Sequence, residues 1–205
     1  MHASVILAHP YRKSFNHALY ARALQIMSQL GVAAWAHDLY EEHFDPVMTE
    51  AELGKAPPRD ALVIQYAREL MASDLLVFIH PDWWGMPPAI LKGYIDRVIR
   101  PPYAYDYDES LPGAPAMGRL GGKRAIVFVT ANTDAERERD YFGDPLEKIW
   151  LRSVFGFCGV EDAQLCMFRV VSTSTPSQRQ AWLQEVEDRL RALVGNGKPI
   201  SHEKD

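Results

Sequence analysis

The chain has 205 residues, of which 47% are hydrophobic and 24% are charged. This length and composition are typical of one soluble globular domain and leave little room for a second. The formal net charge of −5 argues against a nucleic-acid or anionic-membrane partner, because both need a basic surface. No apolar run reaches the roughly 18 residues of a membrane span, so no membrane insertion is expected.

Short β-rich apolar runs alternate along the chain with apolar residues at helical spacing. In chain order, strands are predicted at residues 4–8, 32–36, 75–79, 125–129 and 165–171. Helices are predicted at 14–31, 63–71, 89–99, 145–157 and 182–193. Residues 41–59 and 100–122 are predicted as connections on the surface.

Five strands interleaved with helices predict an α/β fold, a doubly wound parallel sheet with strand order 2-1-3-4-5. Residues 1–195 are interpreted as a single domain, and residues 196–205 as a polar C-terminal tail. No signal peptide is visible, and Cys158 and Cys166 are expected to be buried free thiols. The cytoplasm is therefore the expected location. The scattered histidines lack ligand spacing, so no metal site is predicted.

The predicted strand order brings together three loops, which follow strands 1, 3 and 4. The first loop, AHPYRKSFN, offers Ser14 and Asn16 at a helix N-terminus, with His9, Arg12 and Lys13 as possible positive charges. Helix N-termini favour phosphate groups, so this loop is a candidate anion site. The alternative, that Ser14 is only a helix N-cap, remains open.

The second loop carries Trp83 and Trp84 between prolines, a pattern typical of an aromatic wall for a planar ligand. The alternative is that both tryptophans only cap the core. The third loop offers Thr130, Asn132 and Thr133 as hydrogen-bonding partners for a polar ring edge. Together the three loops predict a flavin nucleotide pocket, in which the cofactor supplies the redox chemistry.

Three sequence segments, PDWWGMPPAILKGYIDRV, AHPYRKSFNHAL and YAYDYD, resemble the flavodoxin-like NAD(P)H:quinone oxidoreductase family. The resemblance covers most of the chain. It implies a bound flavin, FMN or FAD, with NAD(P)H as co-substrate. It also implies a ping-pong reaction, in which NAD(P)H reduces the flavin and a quinone or similar two-electron acceptor reoxidises it.

The resemblance assigns three groups of residues to the cofactor. The phosphate arm would be held by His9, Ser14, Phe15 and Asn16, with Arg12 beside them. The isoalloxazine ring would be flanked by Pro81, Asp82, Trp83, Trp84, Gly85 and Met86. The polar edge of the ring would meet Thr130, Ala131, Asn132 and Thr133. Tyr105 and Tyr107 would line the substrate side, in this family often across a homodimer interface, and a homodimer is therefore expected.

The chain departs from the family after strand 4. Thr130-Ala131-Asn132-Thr133 stands where the family has Thr-Thr-Gly-Gly, and Phe142 occupies the apparent position of a family histidine. Tyr141 is the candidate for a remaining hydroxyl at this position. Without the histidine, no side chain that titrates near neutrality is expected to assist, and a shallow pH dependence of turnover follows.

Two other functions remain open. One is an ancillary or regulatory flavoprotein subunit of a membrane transporter, which nothing in the sequence separates from an enzyme. The other is an electron-carrier flavodoxin. It is disfavoured because the phosphate loop of the carriers is rich in Ser, Thr and Gly, whereas the first loop of this chain is not. The sequence leaves open the choices between FMN and FAD and between NADH and NADPH.

Overall fold

A computed structural model describes residues 1–111 and 113–195. The predicted polar tail at 196–205 lies outside the described residues. Within them, a parallel sheet has the order β2-β1-β3-β6-β7. Its strands are β1 (His2–Leu7), β2 (Ala33–Asp38), β3 (Leu75–Pro81), β6 (Arg124–Ala131) and β7 (Asp162–Arg169). Because β4 and β5 lie outside this sheet, its order is the predicted 2-1-3-4-5, and the predicted fold class is confirmed.

The helices cover both faces of the sheet. The longer ones are α1 (Phe15–Gln29), α2 (Ala61–Ala72), α3 (Ala89–Val98) and α6 (Pro176–Gly195). Between β6 and β7 the chain forms α4 (Ala135–Arg137), a π-helical turn (Glu138–Phe142), α5 (Pro145–Glu147) and a second π-helical segment (Lys148–Gly156). Short 3₁₀ turns occupy Glu50–Glu52 and Val171–Thr173. No helix of the described part is long and apolar enough to cross a membrane.

Two parts of the sequence-based description need correction. The connection 100–122 contains a small antiparallel hairpin of β4 (Tyr105–Asp106) and β5 (Met117–Gly118), which two-residue strands cannot reveal in a hydrophobic pattern. Residues 41–59 are not only a surface loop, because Glu52 is buried and paired with Arg97 of α3 at 2.9 Å. This ion pair holds the connection against the helix layer.

The core has one apolar layer on each face of the sheet. All seven residues of β3 are buried, as expected for a central strand covered on both faces. Apolar side chains of α1 and α6 pack on one face, and those of α2, α3 and the 145–156 helix pack on the other. Cys158 and Cys166 are buried free thiols, as predicted.

Sheet topology positions the site. From β1 the chain passes outward to β2, and then returns to the other side of β1 to form β3, which pairs with β6. At such a switch point the loops after neighbouring strands diverge and leave a crevice at the strand carboxyl ends. The loops after β1, β3 and β6 therefore meet at one edge of the sheet.

Candidate functional site

A cavity of about 760 Å³ lies where the loops after β1, β3 and β6 meet. Every residue that the sequence assigned to the cofactor lines this cavity, except Arg12 and Met86. The three loops are far apart in sequence, and the parallel pairing of the strands brings them together. The predicted convergence of the three loops is therefore present in the structure.

The first wall of the cavity is the N-terminus of α1. Ser14 is the N-cap, and its side chain accepts a hydrogen bond from the backbone N–H of His17. The first backbone amides of a helix have no acceptor within the helix, and its dipole is positive at that end. The arrangement suits a phosphate group. Ser14 thus acts as an N-cap and also lines the cavity, so the two readings of this residue are compatible.

The second wall is a tight turn that carries both tryptophans. Backbone hydrogen bonds of 3.1 Å join Trp83 and Met86 in both directions. Trp84 and Gly85 both have positive φ, 61° and 69°, as a type I′ turn requires. A Cβ on Gly85 would lie 2.7 Å from Cγ of Pro145, so glycine also permits the close packing of this turn.

Trp84 is 96% exposed although it is an aromatic residue in a left-handed backbone conformation. Non-glycine residues pay a steric penalty in this region, and such strain is concentrated at ligand sites. An exposed indole in a strained turn does not cap the core. The structure therefore argues against the core-capping interpretation for Trp84, whereas Trp83 is 42% exposed and lies 6.1 Å from the His9 ring, centroid to centroid.

The third wall is polar and contains a buried atom without a partner. The side-chain amide of Asn16 donates to Oγ1 of Thr130 at 2.8 Å. Within the part of the chain that the structure describes, Oδ1 of the same Asn16 is buried and has no hydrogen-bond donor. Asn132 lies beside this pair, and its Oδ1 accepts from the backbone N–H of Ser172 at 2.9 Å. An unsatisfied buried acceptor is costly, and a ligand donor would satisfy it.

An acidic group lines the side of the cavity that faces β7. Glu138 is 2% exposed, and one of its carboxylate oxygens lies 3.5 Å from Nη1 of Arg169. Burial raises the pKa of Glu138, the charges of Asp82 and Asp144 raise it further, and Arg169 opposes them. Burial also raises the pKa of Asp82, although Asp82 accepts a hydrogen bond from the Gly85 backbone at 2.9 Å.

The histidines near the site carry little positive charge. Burial lowers the pKa of His9, and the nearby His17 lowers it further. His80 is fully buried below the cavity, and burial lowers its pKa to about 4. The His80 ring accepts from the Trp150 indole at 2.9 Å and donates to the Pro81 carbonyl at 2.8 Å. His80 is thus a satisfied core residue in its neutral form.

Several predicted site residues lie outside the cavity lining. Arg12 points outward and pairs with Glu41 at 2.6 Å, so its charge is turned away from the cavity. The Met86 backbone closes the tryptophan turn, but its side chain is exposed to solvent. Tyr141 is exposed and packs against Phe142, which does line the cavity.

Tyr105 and Tyr107, predicted on the substrate side, also do not line the cavity. Tyr105 borders a separate groove of about 300 Å³ and packs edge-on against Phe157 at 4.9 Å between ring centroids. Tyr107 lies under the Lys55 ammonium group, which is 4.4 Å from the ring centre. In a single chain, neither tyrosine is part of the cavity wall that the predicted cofactor residues form.

Residues that the sequence did not assign to the site also line the cavity. They are Tyr11, Glu138, Phe142, Pro145, Val171, Ser172 and Arg179. Arg179 donates to the Ser174 hydroxyl and the Val171 carbonyl, and its guanidinium lies over the Phe15 ring. No motif marked the segment 171–179, because its contribution depends on how the chain leaves β7. Glu138 was hidden in a run of charged residues typical of a solvated turn.

Fold and site together define a doubly wound α/β protein with a cavity at its switch point. A family model described as "Flavodoxin-like fold" matches residues 1–194. The chain belongs to this flavodoxin-like family. The resemblance that the sequence motifs suggested is thereby confirmed.

Relatives named as oxidoreductases match over nearly the whole chain. An uncharacterized NAD(P)H oxidoreductase from Haemophilus influenzae is 30% identical over 95% of this chain and 98% of its own. A mouse ribosyldihydronicotinamide dehydrogenase [quinone] is 27% identical over 92% of this chain and 90% of its own. The solved structure of an NAD(P)H:quinone oxidoreductase from Methanothermobacter marburgensis superposes with a TM-score of 0.80 at 25% identity, covering 97% of this chain and 99% of that one. These names support the predicted oxidoreductase activity.

Proposed function

We propose that this protein is a flavin-dependent NAD(P)H oxidoreductase that reduces quinones or similar two-electron acceptors. The observation that carries the proposal is the single cavity in which a helix N-terminus, an exposed tryptophan turn and a polar strand end converge. Relatives of similar length bear the names of NAD(P)H oxidoreductases and quinone dehydrogenases. Family membership and cavity chemistry therefore favour the same class of reaction.

The residues present fit a flavin. The amides at the start of α1 suit its phosphate, and the unsatisfied Oδ1 of Asn16 suits a hydroxyl donor of its ribityl chain. The exposed face of Trp84 provides the aromatic contact that a flat ring system prefers. A cavity of about 760 Å³ lies within the range of cofactor pockets. The cavity continues past Asn132 to Ser172 and Arg179, which leaves room beyond the ring and favours neither FMN nor FAD decisively.

A bound flavin would supply two-electron redox chemistry, and the protein would supply position and electrostatics. The tryptophan turn would provide an aromatic contact for the ring. NAD(P)H and the acceptor would use the rest of the cavity in turn, as a ping-pong reaction requires. The hydrogen-bonding groups of Thr130 and Asn132 would hold the polar edge.

We further propose a homodimer, because Tyr105 and Tyr107 lie outside the cavity of their own chain. Tyr105 and Phe157 pack edge-on beside the β4–β5 hairpin with part of both rings exposed, and aromatic residues are enriched in interface cores. A twofold partner would cover this surface and bring the tyrosines toward the partner's cavity. Residues 1–195 would then be one flavin-binding domain of each subunit, located in the cytoplasm, where the two thiols remain reduced.

The transporter-subunit and electron-carrier functions receive no comparable support. The relatives named as an NAD(P)H oxidoreductase and a quinone dehydrogenase match this chain over nearly their full lengths. The test is to purify the protein, record its absorbance spectrum and identify the released cofactor by mass. A yellow protein whose colour is discharged anaerobically by NADH or NADPH and restored by a small quinone supports the proposal. A protein that takes up neither FMN nor FAD at sub-millimolar concentrations contradicts it.

A further inference from the structure

Glu138 occupies an unusual position for a carboxylate. It begins the π-helical turn after α4, and its neighbours Arg137 and Arg139 are exposed whereas Glu138 is buried. Its backbone N–H donates to the Asp134 carbonyl at 3.1 Å, and its carbonyl accepts from the Asp144 N–H at 3.2 Å. The backbone is thus held on both sides of the residue. The side chain is fixed at the wall of the cavity and does not extend into solvent.

The charges around Glu138 do not balance if every acid is ionised. Besides burial, the charges of Asp82, in the loop after β3, and of Asp144, before α5, raise the pKa of Glu138, and Arg169 at the end of β7 opposes them. The Arg169 guanidinium is the one cation that the described residues place within ion-pair distance of the Glu138 carboxylate, at 3.5 Å. Arg169 is also occupied by the Thr133 carbonyl at 3.4 Å. Two further carboxylates that act on Glu138, with one guanidinium paired to it, favour the binding of a proton by Glu138.

A second cavity of about 230 Å³ lies on the other side of Glu138 and is lined also by Asp144 and Arg169. This volume accommodates several water molecules, and Asp144, Glu147 and Arg169 offer them polar partners, although the rest of the lining is apolar. Glu138 therefore borders both the main cavity and a smaller one. Water in the smaller cavity would allow the carboxylate to exchange its proton when a ligand fills the main one.

We propose that Glu138 takes up a proton when a flat ring fills the main cavity, and that the resulting carboxylic acid donates a hydrogen bond to the ring. The inference rests on the proposed flavin site. Filling the cavity removes water from the carboxylate, which penalises its charged form. An isoalloxazine edge presents carbonyl oxygens and ring nitrogens that accept hydrogen bonds, and these atoms repel a carboxylate but bind a carboxylic acid. The proton comes from solvent, and the carboxylate becomes neutral.

The experiment measures riboflavin binding to the apoprotein by calorimetry, in buffers that differ in their heat of ionisation. Riboflavin carries the ring and the ribityl chain but no phosphate, so phosphate titration cannot contribute protons. His9 also lines the cavity, but its lowered pKa keeps it neutral between about pH 7 and 9. Above the pKa of Glu138 in the empty protein, we expect uptake of about one proton per riboflavin bound, and an affinity that falls about tenfold per pH unit.

Two variants divide the possible outcomes. Glu138→Gln should bind riboflavin without proton uptake and with a flat pH dependence, because it is neutral at every pH. Glu136→Gln is the matched control, since Glu136 is an exposed glutamate in the adjacent α4, and it should behave as the native protein. If native protein binds riboflavin without proton uptake and with no pH dependence, the inference about Glu138 fails and the flavin proposal stands. The same holds if Glu138→Gln takes up as many protons as the native protein. If native protein does not bind riboflavin, FMN or FAD, the flavin proposal fails and the inference fails with it.

A second measurement uses the native protein and so does not depend on correct folding of Glu138→Gln. The difference infrared spectrum between riboflavin-bound and empty protein should gain the carbonyl band of a protonated carboxylic acid. A difference spectrum without that band at a pH where binding is observed overturns the inference. Native protein and Glu136→Gln should give the same band.

Discussion

Substitution of Asn16 by leucine should weaken flavin binding without a matching loss of stability. In the apoprotein, the Asn16 amide donates one hydrogen bond to Thr130, and the Asn16 Oδ1 atom is buried without a donor in the described part of the chain. The lost hydrogen bond contributes about 0.5–1.5 kcal/mol, whereas an unsatisfied buried acceptor costs about 1–3 kcal/mol. The two effects oppose each other, and the buried Thr130 Oγ1 also loses its donor. The free energy of unfolding of the apoprotein should therefore change by less than about 2 kcal/mol.

The effect on the flavin complex is a loss of affinity. If the ligand supplies the missing donor to Oδ1, leucine removes an interaction of about 1.5–3 kcal/mol, and affinity falls roughly tenfold to a hundredfold. Urea unfolding of the apoprotein measures the first effect, and quenching of flavin fluorescence measures the second. Asn132→Leu is a comparison for stability only, because Oδ1 of Asn132 already accepts from Ser172, and its loss should destabilise the apoprotein by about 1 kcal/mol. Loss of more than about 2 kcal/mol in Asn16→Leu with unchanged flavin affinity would refute the reasoning.

Three further results are expected. Trp84→Gly should raise the free energy of unfolding of the apoprotein by up to about 1 kcal/mol, because glycine adopts the positive φ without strain. The same change should lower flavin affinity about fivefold, because the aromatic contact is lost. A variant that loses both stability and flavin affinity would contradict this. Burial of neutral His80 contributes stability that is present above pH 6.5 and is lost as the pH falls toward 4. Between pH 7 and 4, the free energy of unfolding of the native protein should therefore fall by about 3 kcal/mol more than that of His80→Gln. Urea midpoints that shift equally with pH in the two proteins would contradict this. Phe157→Glu should convert a homodimer to a monomer by light scattering, whereas an active native monomer would rule the dimer out.

The sequence predicts the fold well where periodicity is strong. The buried strand at 75–79 and the helical spacing after it locate β3 and α3, and the strand alternation predicts the sheet order. Strand boundaries differ by up to three residues, because strand ends are set by pairing with neighbours. Thus β7 begins at Asp162, where it pairs with Arg124, although its hydrophobic run begins later. The β4–β5 hairpin is too short to leave a periodic signal.

The site was predictable where its residues stand directly after a strand. His9, Pro81 and Thr130 follow or end adjacent strands, so the predicted topology alone brings them together. Arg12 and Glu138 could not be placed in this way, because their roles depend on side-chain direction. Arg12 turns outward to Glu41, whereas Glu138 turns inward from a charged run that a sequence pattern assigns to solvent.

Glu138 also changes the expected pH behaviour of turnover. Phe142 in place of a histidine predicts a shallow pH dependence, but a buried carboxyl group with a raised pKa now lines the same cavity. A raised carboxyl pKa means that the protonated form is favoured in the folded protein, and that this contribution is lost as pH rises through the folded pKa. We therefore expect any loss of activity at higher pH to follow Glu138 and to be absent from Glu138→Gln.

The measurement that tests the central claim most directly is anaerobic addition of NADH or NADPH to the purified protein loaded with flavin. If the protein is a flavin-dependent NAD(P)H oxidoreductase, one equivalent of reduced nicotinamide discharges the yellow absorbance, and one equivalent of a small quinone restores it. A flavin that binds but is bleached by neither nicotinamide contradicts the account and favours a carrier or ancillary subunit.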